Sequence, residues 1–202
     1  MTKTISEIRL RQKRRRRSLF RDTCGMAAVE FALILPVMTL LFFGMLEASD
    51  LLLVNRKMST AANSLVDLVS QEDLISKSQV DDAIVGVTRI LEPSNTAPLT
   101  IKVVSIEKGP NPNDPTLVHW SRDKTGAVPY AAGSNYATLD DDTNLKPGHS
   151  MIVVEIEYDY TSGMTGKVFN LPFHFEQLAK RWPRKSTKVQ LCDDTAHTMC
   201  TS

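Results

Sequence analysis

The chain has 202 residues, 42% of them hydrophobic and 23% charged, with three cysteines and a formal net charge of +1. That length accommodates one modest domain plus an anchor. Nine of the 24 Lys/Arg and two of the 23 acids lie before Gly25, a balance of +7 that leaves −6 for the remainder, so the overall charge excludes nothing about partners by itself.

Residues 1–25 read as a solvated basic leader. A run such as Arg14-Arg15-Arg16-Arg17 fits a nucleic-acid tail, but its position directly before an apolar segment favours a positive-inside topology signal. On that reading the N-terminus is cytoplasmic, the chain crosses the inner membrane once, and everything after about residue 54 is periplasmic. No nucleic-acid partner is expected.

Phe31 to Leu46 carries no formal charge, yet is shorter than the roughly 20 residues a helix needs to span lipid. Adding Met26 to Val29 supplies the length and brings Glu30 into the apolar zone. A carboxylate inside a bilayer is costly and marks a functional position by default. A cleavable secretory signal peptide is the competing reading, and it fits less well: the run is long, contains Pro36 and lacks a small-x-small site before the next charges. Pro36 removes a backbone hydrogen bond and is expected to break or kink the helix.

The helical pattern continues past the apolar segment. Leu51, Val54, Met58, Ala61, Leu65 and Leu68 recur at alternating spacings of three and four, a heptad-like stripe, while Asn55, Arg56, Ser59, Asn63 and Asp67 fall on the opposite face. A helix from Met26 to Ser70 is expected, about 68 Å long at 1.5 Å per residue. Its stripe requires a partner, either the chain's own sheet or a neighbouring subunit's helix. Ser78-Gln79-Val80-Asp81 reads as a capping box opening a short amphipathic helix over Gln79–Leu91 that Pro93 ends.

Strands are predicted next. Leu99–Glu107 and Thr116–Ser121 flank the turn-rich stretch from Gly109 to Pro115 and form a hairpin. Arg122 to Ser150 is a long polar segment. Met151–Tyr160 is the strongest strand, with Ile152, Val154, Ile156, Tyr158 and Tyr160 on one face and Glu155, Glu157 and Asp159 directed to solvent. Lys167–Phe175 is a further extended piece, and Arg184–Leu191 a final edge strand. The fold class is α+β: a long N-terminal transmembrane helix extending into a small periplasmic domain with an antiparallel sheet. The expected division is 1–25 leader, 26–54 transmembrane helix, 55–92 helical extension with the second helix, and 93–202 the β-rich domain.

Tests for chemistry return little. Asp140-x-Asp142-x-Asn144 starts like a calcium loop, but Leu145 and Met151 replace the required Gly and Glu. His119, His149, His174 and His197 lack paired metal spacing; His119 and Trp120 read as packing residues. No G-x-S-x-G, H-E-x-x-H or phosphate-binding glycine loop occurs, so neither enzymatic activity nor a cofactor is expected. Cys192 and Cys200 fit a disulfide in an oxidising compartment; a zinc site with His197 lacks a fourth ligand.

The stretch Gly25-Met26-Ala27-Ala28-Val29-Glu30-Phe31 sits where basic leader meets apolar run, as in a type IV prepilin processing site. From Gly25 to Glu47 the chain closely resembles the TadE-like family, pseudopilin-type proteins of bacterial tight-adherence (Flp pilus) systems. The likeness rests on A-A-V-E-F-A-L-x-L-P, the following F-G-x-x-E and the helix near Ala61-Ala62, about a fifth of the chain. Trp120-Ser121 and Trp182-Pro183-Arg184 give a looser likeness. There is no D-x-S-x-S of a von Willebrand A domain, so the chain resembles a short member. The resemblance implies cleavage between Gly25 and Met26 by a prepilin peptidase, Glu30 as the fifth residue of the mature chain, and other pilins, pseudopilins and tight-adherence assembly proteins as partners. The alternative is a signal-anchored periplasmic binding or sensor module with no pilus role.

Overall fold

A computed structural model describes residues 25–92, 94, 96–111, 113–138, 145–161 and 173–201. The leader with Cys24, the Asp140–Asn144 stretch and most of the extended piece expected before Phe173 lie outside the described residues. Two compact units divide between Ala48 and Ser49.

Helix α1 runs from Met26 to Ser70. Pro36 lies inside it without ending it, so the break expected there does not interrupt the helix. A proline in a long apolar helix leaves one carbonyl without its amide donor, a loss such helices tolerate through local adjustment. In the unit ending at Ala48 the large apolar side chains point outward: Phe31, Leu33, Leu40, Leu41, Phe42 and Met45 are each more than half exposed.

The second unit is α+β. After α1 come β1 (Leu74–Ser76), α2 (Lys77–Thr88), a 3-10 turn over Arg89–Leu91, β2 (Leu99–Lys108), β3 (Thr116–Asp123), β4 (Ser150–Tyr160), β5 (Phe173–Arg181) and β6 (Gln190–Cys192). The main sheet is antiparallel in the order β3-β2-β4-β5. A separate parallel pair joins β1 to β6, with Ile75 opposite Leu191.

One face of the sheet packs on the helices. Val54, Met58, Ala61, Leu65 and Val69 of α1, with Val80, Ile84 and Val87 of α2, share one buried cluster with Ile101, Val103, Ile152, Val154 and Ile156. The helical stripe from Val54 onward therefore meets the chain's own sheet. The strict heptad fails at its end: Leu68 is 50% exposed and Val69 is fully buried. At about 100° per residue, the buried Met58, Ala62, Leu65, Val66 and Val69 centre the face to one side of Val54, which takes in Val69 and leaves Leu68 at its margin. Asp67, expected on the solvated face, accepts from Arg181 at 2.8 Å and from Arg184, and Asn55 accepts from Gln177 at 2.9 Å.

Helix α2 begins earlier than expected. Its cap is Ser76, not Ser78: the Gln79 amide donates to Ser76 Oγ at 3.2 Å, and the Ser76 amide donates to Gln79 Oε1 at 2.8 Å. Ser76 is extended because it belongs to β1, the conformation an N-cap requires. Arg122 of β3 holds α2 through both oxygens of Asp81, at 2.5 and 2.6 Å.

The other sheet face is not open to solvent, which corrects the expectation for β4. Val104, Ile106, Val118, Met151 and Val153 form a second buried cluster with Tyr136 and Leu145, brought by the polar segment between β3 and β4. Glu155 consequently lies only 6% exposed, whereas Asp159 does face solvent. The final edge strand expected over Arg184–Leu191 is also corrected. Only Gln190–Cys192 is extended, and it pairs with β1 rather than the main sheet.

A β-bulge explains how β3 serves both clusters. Ser105 pairs with Trp120 and Ile106 with Val118, leaving His119 as the additional residue. Simple alternation would place Val118 and Trp120 on one face; the bulge sends Val118 to the loop-side cluster and Trp120 to the helix side. There Trp120 Nε1 donates to the Val189 carbonyl at 2.7 Å.

Candidate functional site

The N-terminal candidates are Gly25, Met26, Glu30 and Pro36. Gly25 immediately precedes α1, and Met26 is the helix's first residue. A Cβ built on Gly25 meets nothing within 4 Å, so no packing within this unit demands a glycine there. Glu30 is exposed and lies one turn after Met26 on the same helix face. Around it the surface is apolar: Val29, Phe31, Leu33 and Ile34 are all more than half exposed. Thr39 Oγ1 donates to the Leu35 carbonyl at 2.8 Å, keeping one hydroxyl on this surface satisfied within the helix.

The helix is long and apolar enough to cross a membrane, with none of its apolar window buried inside the protein, and each exposed Leu or Phe costs free energy in water. In lipid the same side chains are solvated and the backbone satisfies itself along the helix.

A model of the TadE-like protein family matches residues 25–65. The matched TadE-like segment opens at Gly25, contains Glu30 and Pro36, covers the apolar half of α1, and ends at Leu65 inside the helix-side core. The sheet lies beyond it. No curated protein and no solved structure matches the chain.

The structure presents a second group that the sequence reading missed, on the loop side of the sheet. A cleft of about 400 Å³ is lined by residues including Lys102, Tyr130, Glu155, Glu157 and Glu176. Glu155 accepts from Tyr130 Oη at 2.9 Å and from Tyr136 Oη. Lys102 lies 3.4 Å from Glu155, donates to Glu157 at 2.6 Å, and sits 5.9 Å from the Tyr130 ring centroid. Burial alone lowers a lysine pKa, but the Glu157 hydrogen bond and surrounding negative charge raise that of Lys102 above its ordinary value. Burial, reinforced by the adjacent Glu155 carboxylate, pushes the Tyr136 hydroxyl well above its ordinary value. Both hydroxyls therefore stay protonated and donate to Glu155, which with Lys102 nearby tolerates its burial. The legible signal was the pair of tyrosines, Tyr130 and Tyr136, in an otherwise polar segment.

Cys192 and Cys200 are joined by a disulfide. Cys192 ends β6, and the loop between them is held by bonds from the Asp193 amide to the Met199 carbonyl and from the Thr198 amide to Asp194, both 2.9 Å. The disulfide removes both sulfurs as ligands for the zinc site considered with His197. Among the described residues no group of three or more His, Cys, Asp or Glu is placed to hold a metal.

Proposed function

We propose that this chain is a minor pseudopilin or pilus assembly protein of a tight-adherence (Flp) system, anchored in the inner membrane by the first half of α1. Prepilin peptidase cuts between Gly25 and Met26. The observation that carries the reading is the TadE-like match beginning at Gly25, where the basic leader gives way to the apolar helix. A glycine that no neighbour requires suits a backbone that a protease must approach closely. Cleavage removes the +7 leader and leaves a new α-amine at Met26. In a packed array, Glu30 of one subunit pairs with that amine on its neighbour, offsetting a carboxylate that is costly when lipid-facing. The chain is then a peptidase substrate rather than an enzyme, and its partners are pilins, pseudopilins and the assembly proteins of the system.

Intact-mass measurement on the native protein tests this. A mature chain starting at Met26 is expected, and an uncut chain in cells with an active prepilin peptidase refutes processing. Gly25→Ala blocks cleavage without affecting folding. Glu30→Ala spares cleavage and impairs assembly; normal assembly refutes the Glu30–amine pairing. A second reading, a signal-anchored periplasmic binding module, is favoured by the cleft over Glu155. It requires an unprocessed chain and a ligand whose stabilisation is lost in Glu155→Gln.

A further inference from the structure

The two edges of the main sheet are treated differently. At the β3 edge, residues 133–136 add backbone bonds: Gly133 donates to Val118, Val118 to Ser134 and Tyr136 to Thr116, at 2.7, 2.9 and 2.9 Å. At the other edge, no backbone hydrogen bond among the described residues joins 173–181 to anything but β4. This nine-residue strand is long for an edge left unpaired among the described residues, and it is not apolar-free: Leu178 at its middle is 45% exposed, and Trp182 just beyond it 38%.

Charge along β5 is arranged in a self-complementary way. Glu176 stands directly opposite Glu157 on β4, a like-charge pair that destabilises a sheet. Lys102 answers Glu157. Among the described residues Glu176 reaches only the exposed ring of His174, at 3.1 Å. Lys180, on the same sheet face as Glu176, is exposed and makes no ion pair among the described residues.

We propose that β5 pairs with β5 of a second copy of this chain, antiparallel and centred on Leu178. Joining two sheets about a twofold axis keeps each face continuous, so only residues of the same parity stand opposite one another. Centring on Leu178 sets Leu178 against Leu178 and Glu176 against Lys180, twice by symmetry. Centring on Glu176 or Lys180 sets like charges together, and centring on Gln177 or Ala179 sets Leu178 against Glu176 or Lys180. One register thus satisfies Glu176, Lys180 and Leu178 at once. This inference is independent of how the N-terminal segment is processed.

The test is cysteine cross-linking of the full chain in its native membrane, in a Cys24→Ser background. Directly opposed residues in an antiparallel pair have Cα atoms about 4.5–5.5 Å apart, within disulfide reach. Leu178→Cys is expected to give a covalent dimer under mild oxidant, well above that from the more exposed Val128→Cys; equal yields overturn the proposal. Mixed chains bearing Glu176→Cys and Lys180→Cys cross-link to each other, and neither does so with itself. Adding Glu176→Lys to Leu178→Cys lowers the dimer roughly tenfold, and adding Lys180→Glu as well restores it. A dimer insensitive to both reversals overturns the register.

Discussion

Trp120 gives the sharpest test of how the second unit is held together. Its side chain is 3% exposed, and its indole N–H donates at 2.7 Å to the carbonyl of Val189, itself fully buried. Trp120→Phe keeps an aromatic ring but leaves that carbonyl without a donor and without access to water. An orphaned buried acceptor costs about 1–3 kcal/mol, and the missing part of the indole adds about 1 kcal/mol of lost burial. The sum is about 2–4 kcal/mol, and a unit of this size shifts by about 2–4 °C for each kcal/mol. A fall in Tm of roughly 5–15 °C is therefore expected, read by far-UV circular dichroism on the full chain in detergent. Trp182→Phe is the control, since a half-exposed surface substitution moves stability by no more than about 0.5 kcal/mol. If the two variants melt together, the buried indole bond does not hold the C-terminal segment to the sheet.

Cys192→Ser with Cys200→Ser is expected to cost about 2–3 kcal/mol, the closure entropy of a short loop, measured as a lower denaturant midpoint that reductant reproduces in the wild type. Single and double alanine variants at Asp81 and Arg122 should reveal a coupling of about 0.5–1.5 kcal/mol, kept modest because Asp81 is partly exposed. His174 lies between Asp159 at 2.6 Å and Glu176 at 3.1 Å, hydrogen bonds that raise its pKa above 6.5. Its protonated form is favoured in the folded state, so the stabilisation is complete below the unfolded pKa and is lost as pH rises through the folded one. A ring-proton NMR titration should show the raised midpoint, and Asp159→Asn with Glu176→Gln should bring it down; an unchanged midpoint refutes the contact. Gly109→Ala places a Cβ 2.8 Å from Asp114 Cβ, and should destabilise the β2–β3 turn measurably in the same thermal assay.

Period-based reading of the sequence found what local pattern controls. The 45-residue helix α1, strands β2, β3 and β4 and the family resemblance at Gly25–Glu30 were all legible, because each depends on hydrophobic period or on a contiguous motif. What it missed depends on pairing at a distance. The three residues Leu74–Ser76 are too few to show alternation, and become a strand only because β6 supplies a partner. That pairing also moves the helix cap from Ser78 to Ser76. Glu155 alternates like a surface residue, and is buried only because Tyr130 and Tyr136 arrive from a segment with no period of its own. The bulge at His119 is likewise invisible in a strand read alone.

The parallel pairing of β1 with β6 has a consequence for the order in which the chain can mature. β1 leaves the ribosome more than a hundred residues before β6, so Ile75 and the Ser76 cap cannot reach their final setting until β6 has been made. Long-range parallel contacts of this kind close slowly, and the disulfide at Cys192 can lock them only afterwards. A product stopped before β6 would carry both helices and all four strands of the main sheet, yet leave Ile75 unsealed.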